Sequence, residues 1–281
     1  MKSHIHTHAH PRTHSPCGAG TGYDSASDSD YRIAPWLYLL PLVVVVIAWH
    51  FYTLGSSDRQ FIFSSPEKVV QAFVRLASSG ELVKNSLITL EEAIAGFALG
   101  TTTGAAIGLS LWYSRAVARV SRPYISALGS IPIFSLAPMI ITWFGIGLWS
   151  KIMLAFLSTV VVAIVQSYQG AVSVEPRYLR FMAVVGASRS QVFRYIVVPS
   201  SLIWVVNAMK LNIGLALLGA FIGEFISAEA GLGYMIVKAS GLYDMATVLV
   251  GVFTLMVIAL ILSACVEALE RRILSRMSWK S

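Results

Sequence analysis

Apolar residues gather in six long blocks along the chain, separated by shorter stretches that hold most of the charge. Crossing a hydrocarbon core of ~30 Å takes about 20 apolar residues in a helix. Six stretches reach that length: 35–54, 86–113, 124–144, 151–172, 200–226 and 245–267. The pattern therefore predicts an all-α fold, a polytopic membrane bundle of six transmembrane helices. Residues 1–34 read as a disordered polar tail, 35–270 as the transmembrane domain and 271–281 as a second tail. No small-residue cleavage site follows the first block, so it is expected to be a retained helix and not a signal peptide.

Local signals refine these elements. Gly96, Gly100, Gly104 and Gly108 recur every fourth residue, which lines them along one helix face. Small residues so spaced allow a second helix to approach closely; helix packing is the expectation, and a pore-lining face the alternative. Pro132 and Pro138 remove two backbone donors from the third block, so a kinked or interrupted helix is expected there. After the first block, Ser65 and Pro66 have N-cap and first-turn character. Val69, Val70, Phe73 and Leu76 then predict a short amphipathic helix at the outer interface.

Composition excludes most soluble readings. Of 281 residues, 56% are hydrophobic and 12% charged, against roughly 25% charged in an average soluble domain. The 21 basic and 14 acidic residues leave a net charge of +7. The bases form no polybasic stripe interleaved with aromatics, so no nucleic-acid partner is implied. Counted by gap, 14 of them fall in the N-terminal tail, 114–123, 173–199 and the C-terminal tail, against six in the alternate gaps. Positive loops stay inside, which predicts cytoplasmic termini and a cytoplasmic 173–199 loop. Cys17 and Cys265 imply neither a disulfide framework nor a metal site.

The 173–199 loop has more organisation than a connector requires. Tyr178, Phe181, Met182 and Val185 fall at i, i+3, i+4 and i+7, an apolar stripe on a short helix that Gly186 can end with a left-handed cap. Ser188 and Gln191 have capping-box spacing for a second helix, and Pro199 is placed to open the next membrane helix. Arg180, Arg189 and Arg194 flank this surface. Such a helix pair is either a docking element or an amphipathic surface lying on the anionic inner leaflet.

The stretch Gly186-Ala-Ser-Arg-Ser-Gln-Val-Phe-Arg-Tyr-Ile-Val-Val-Pro199 resembles the EAA-loop signature of permease subunits of ATP-binding cassette importers. Gly223-Glu-Phe-Ile-Ser-Ala-Glu-Ala-Gly-Leu-Gly-Tyr234 is similar to the aliphatic sulfonate, taurine and nitrate branch of that family. So are Ile131-Pro132 through Trp143-Phe144-Gly145, and Ser64-Ser65-Pro66 with Gly80-Glu-Leu82. The likeness covers about residues 60–275. It implies a type I importer permease fold in a bacterial inner membrane, with no catalytic residue and no cofactor on this chain. ATP and Mg would be held by a separate ATPase subunit dimer seated on the coupling loop 176–199. A second permease copy would complete the pathway, and an extracytoplasmic binding protein would deliver the solute.

Two positions depart from the family pattern. Arg180 stands where the signature glutamate is expected, followed by Phe181 and Met182 at alanine positions, and Glu92 stands where the branch often has arginine. Within the membrane blocks, Lys210 and Glu224 are the ionisable candidates for a translocation pathway. A lone charge at that depth costs about 2.5–3.5 kcal/mol and should face protein or water; Lys210 would favour an anionic cargo, and pairing within the bundle is the alternative. His4, His6, His8 and His10 alternate in the tail, either as a metal-chelating tract or as part of a disordered extension. A stand-alone ion-coupled carrier is the competing class, and would show inverted repeats and more intramembrane charges. No phosphate-binding G-x-x-x-x-G-K-[ST] occurs, in line with ATP hydrolysis on another chain.

Overall fold

The computed structural model describes residues 40–227 and 229–278, and every regular element among them is helical. The tail 1–34 with His4, His6, His8 and His10 lies outside the described residues, as do 35–39 of the first block and 279–281. The chain divides into two compact units at Val45. The first is described only where α1 (Leu40–Thr53) begins, and the architecture that follows is that of the second.

In chain order, α2 (Ser57–Phe63) and α3 (Pro66–Ser78) lead to the long α4 (Glu81–Ser110) and a 3-10 turn, Leu111–Tyr113. Next come α5 (Arg115–Ser130), α6 (Ile133–Phe144) and α7 (Leu148–Val172). The short α8 (Pro176–Val184) and α9 (Arg189–Val192) precede a π turn, Phe193–Val197, and α10 (Val198–Ser227). The described chain closes with α11 (Leu232–Gly241) and α12 (Met245–Ser278). Among the described residues, four runs are long and apolar enough to cross a membrane: Glu81–Tyr113, Leu148–Val172, Arg189–Ser227 and Met245–Arg272. Helices α5 and α6, bent by 92°, make a fifth candidate. In the first block, α1 has 14 residues, about 21 Å at 1.5 Å per residue.

Four boundaries differ from expectation, each for a local reason. The third block was expected as 124–144, but its helix starts at Arg115, where the Ser114 hydroxyl accepts from the Val117 amide, and it breaks at Ile131–Pro132. Proline pushes its preceding residue out of the helical region, and Ile131 is extended at ψ 123°. Pro138, by contrast, sits inside an unbroken α6. The fifth span does not open at Pro199; it forms one run from Arg189. The π turn just before Pro199 changes the hydrogen-bond spacing where the proline has no donor to give. The gap expected at 227–244 contains α11, and residues 271–278 continue α12.

The core is α4 and α10 packed on α7. Gly96, Gly100, Gly104 and Gly108 lie in order against Ala155, Thr159, Ala163 and the Ile164–Ser167 segment, so α4 and α7 run parallel. At Gly104 an added methyl would stand 2.5 Å from the Ala163 Cβ and 2.6 Å from the Val160 carbonyl oxygen. These glycines face another helix at backbone contact distance. Helix α10 is antiparallel to α7, with Gly219 against Ala155 and Gly223 against Lys151, and with Trp204 against Gly170. Ala155, fully buried, is thus held between α4 and α10. Asn212 of α10 donates to Thr101 of α4 at 2.9 Å.

Helix α3 is capped by Ser65, as its sequence indicates, and buries Val69, Ala72 and Leu76, whereas Val70 and Phe73 are exposed. Arg75 ties it to the start of α12, donating to Asp244 at 3.2 Å and to Thr247 at 3.0 Å. Partial burial opposes ionisation of Asp244, but hydrogen bonds from the Thr247 hydroxyl and amide and from Arg75 outweigh it and hold this carboxyl below its ordinary range.

Candidate functional site

The 173–199 loop forms a capped helix–turn–helix between α7 and α10. Pro176 opens α8, and Gly186, at φ +75°, ends it. The amide of Ala187 donates to the Met182 carbonyl at 3.0 Å and that of Gly186 to Ala183 at 3.1 Å, closing the last turn. Ser188 and Gln191 then form a complete capping box. Leu179, Val192 and Ile196 pack on buried Ala171, Val174 and Val197, which fix the motif to the ends of α7 and α10. The remaining apolar side chains have no such cover: Phe181 is 64% exposed, Val184 87% and Val185 65%, with Tyr178 at 44%. Met182 is half-buried, and Arg180 and Arg189 are exposed. A rigidly attached helix pair therefore presents apolar residues and bases outward.

At the other end of α7 lies a buried polar cluster. Asn85, Thr89 and Glu92 come from α4, Lys151 from α7 and Glu224 from α10, all of them buried. The N-cap and first two residues of α11 supply three successive amides. Gly231 donates to the Asn85 side-chain Oδ1 at 2.9 Å, Leu232 to the Thr89 hydroxyl at 2.9 Å, and Gly233 to the Glu224 carboxylate at 2.6 Å. The Thr89 hydroxyl donates to the other Glu224 oxygen at 2.6 Å. Glu92 adjoins Glu224, and Lys151 is the cation beside both. One Glu92 oxygen has no hydrogen-bond partner among the described residues. The cluster clamps the α10–α11 turn to α4, so Glu224, expected near the end of its helix, is an interior anchor.

Lys210 is also partnered: its ammonium stands 2.6 Å from the Glu270 carboxylate of α12. The ionisable groups expected inside the membrane blocks were Lys210 and Glu224; the structure adds Glu92, Lys151 and Glu270. Removing one member of the pair leaves its partner uncompensated, at about 2.5–3.5 kcal/mol in an apolar setting. Lys210→Met should lower the thermal unfolding midpoint of the purified protein, and adding Glu270→Gln should restore most of it along with uptake. A double variant with wild-type stability and no uptake would instead assign the lysine to the cargo.

Sequence reasoning missed the clamp because its members are spread from residue 85 to residue 233. Two signals pointed toward it: Glu92 in an apolar block, and the Gly231-Leu-Gly233 turn just after Glu224.

Comparison with known proteins agrees with this architecture. The chain is 32% identical over 230 residues to the riboflavin transport system permease protein RibX of Chloroflexus aurantiacus, covering 82% of this chain and 86% of that protein. It is 29% identical over 240 residues to an aliphatic sulfonates transport permease protein, SsuC of Escherichia coli, covering 85% and 90%. The formylaminopyrimidine transport permease protein ThiX of Halalkalibacterium halodurans is 28% identical over 242 residues, covering 86% and 95%. In fold, the chain is similar to a protein in an inward-facing structure of the MetNI methionine ABC transporter, with a TM-score of 0.63 at 17% identity over 70% of this chain and 98% of that one. Residues 96–275 match the family model described as the binding-protein-dependent transport system inner membrane component, and the chain belongs to that family of multi-pass importer permeases.

Proposed function

We propose that this chain, paired with a second permease copy, forms the translocation pathway of an ATP-binding cassette importer in a bacterial inner membrane. A separate ATPase dimer drives it, and an extracytoplasmic protein delivers its solute. The observation that carries this reading is the capped α8–α9 pair, whose outward side chains Phe181, Val184 and Val185 are apolar and whose base is packed into the ends of α7 and α10. Closure of an ATPase gripping that surface would move both long helices together as rigid bodies. With the loop on the cytoplasmic side, as the charge count indicates, exposed Arg180 would meet an acidic residue of the ATPase in place of the usual carboxylate contact. Membership of a binding-protein-dependent family weighs against a stand-alone ion-coupled carrier.

The cargo we assign is a small organic solute of the kinds its relatives' names give: a sulfonate, a flavin or a pyrimidine. The pairing of Lys210 with Glu270 compensates the charge that first favoured an anion such as taurine or nitrate. Uptake of riboflavin, formylaminopyrimidine, an alkanesulfonate, taurine and nitrate by the assembled system would identify the class. Phe181→Asp with Val185→Asp should abolish co-purification of the ATPase and reduce coupled ATP hydrolysis at least tenfold. The helical content of the permease should not change, because both side chains point away from the bundle. Normal ATPase capture by this variant would refute the docking assignment.

A further inference from the structure

On α5, Arg115, Arg119 and Arg122 recur at i, i+4 and i+7, and together with Arg189 of α9 they line one cavity of about 450 Å3. No carboxylate forms an ion pair with any of the four among the described residues. Aromatic rings hold two of them in place: Arg189 lies 5.5 Å from the ring centroid of Trp112, and Arg122 5.7 Å from that of Tyr168. The cavity shares Leu111, Arg122 and Tyr168 with a second hollow of about 370 Å3, whose other walls include Ile125 and Ile164. That hollow in turn shares Ile125, Ser126 and Val165 with a third, of about 420 Å3, reaching Ser130. The three follow the groove between α5 and α7 for the length of α5, about 24 Å at 1.5 Å per residue. One leaflet of a ~30 Å core is roughly 15 Å deep.

We infer that this groove is a site for an anionic phospholipid, its phosphate in the arginine cavity and an acyl chain along the α5–α7 groove. Four guanidinium forks without counter-ions match an oxygen-rich, multiply accepting phosphate better than a single carboxylate. The apolar continuation separates a lipid from a soluble phosphate, which would fill the charged end and leave the groove uncovered. Positive charge at one membrane face is where anionic headgroups collect. Leu179 of α8 also lines the charged cavity, so the headgroup sits between α5 and the loop proposed to receive the ATPase.

The test uses the full-length protein purified with its ATPase in detergent and analysed by native mass spectrometry. Phosphatidylglycerol and phosphatidylcholine with the same acyl chains are added in parallel, with and without inorganic phosphate. Phosphatidylglycerol should be retained at least about tenfold more strongly than phosphatidylcholine. Arg119→Gln with Arg122→Gln should remove that preference, the matching lysine pair should keep most of it, and Val165→Glu in the groove should weaken retention. Reading the ratio of the two lipids within each preparation separates loss of the site from loss of folded protein, and single Arg122→Gln serves if the double variant fails to assemble. Equal retention of both lipids, or an unchanged preference in the glutamine variants, would overturn the proposal. Displacement by inorganic phosphate with no effect of Val165→Glu would make it a soluble-anion site. Cross-linking of α5 to α5 of a second copy through the groove would make it a subunit interface. Either result rejects the lipid.

Discussion

Gly231→Ala is expected to unfasten the α10–α11 turn and to cost about 4 kcal/mol or more. The backbone there, at φ +109° and ψ 167°, lies in a region essentially confined to glycine, where another residue adds about 1–3 kcal/mol of strain. A methyl group would also run into the Glu224 carboxylate. Glu224 cannot move aside without loss, since it accepts from both Thr89 and Gly233. Each buried donor or acceptor left unmatched costs about 1–3 kcal/mol, more for a charged group. Thermal unfolding in detergent, with limited proteolysis of the 229–233 turn, measures the effect. Gly241→Ala is the control: an added methyl there meets nothing within 4 Å, and its midpoint should stay near wild type. If Gly231→Ala unfolds like the control, the clamp does not hold the turn.

The second large effect concerns the interface between α4 and α7. Overpacking a close helix contact costs about 1–3 kcal/mol, and both Gly96→Ala and Gly104→Ala should show it as a lower unfolding midpoint. Their rescue should differ. At Gly96 the nearest obstacle is the Ala155 methyl, and the next atoms are backbone at 3.0 Å; Ala155→Gly should recover much of the loss. At Gly104 the Val160 carbonyl oxygen would stand 2.6 Å from the new methyl. Ala163→Gly clears the side chain but not that oxygen, so the loss should persist. Equal rescue at both positions would mean that the helices separate freely, and that the glycines are not what holds them together.

How much of this was legible in the sequence depended on how far apart the cooperating residues lie. Gly186, Ser188 and Gln191 act within one turn of helix, and their cap was readable from spacing alone. The glycines at 96, 100, 104 and 108 show a face, but not that its partner is the Ala155–Ser167 stretch of α7. Pro132 broke its helix while Pro138 did not, because Pro132 forces Ile131 before it out of the helical region, whereas the donor missing at Pro138 is tolerated where neighbouring groups compensate. The pairing of Lys210 with Glu270 spans 60 residues, and the arginine cavity joins Arg115 to Arg189. Such encounters are made by the packing of whole helices, which periodicity along a chain does not encode. Helix α11 lay hidden for a different reason: its ten residues are too few to register as a span.

The π turn at Phe193–Val197 has a geometric consequence of its own. It holds one more residue in its turn than an α-helix does, and one residue of an α-helix corresponds to about 100° of rotation. Everything ahead of it, including Arg189 and the attachment of α8, is therefore offset in phase about the axis of α10 from where uninterrupted winding would point it. The compass bearing of the Phe181 surface thus depends on a single surplus residue, set among the contacts of Val192, Ile196 and Val197 that seat the motif on the end of α7.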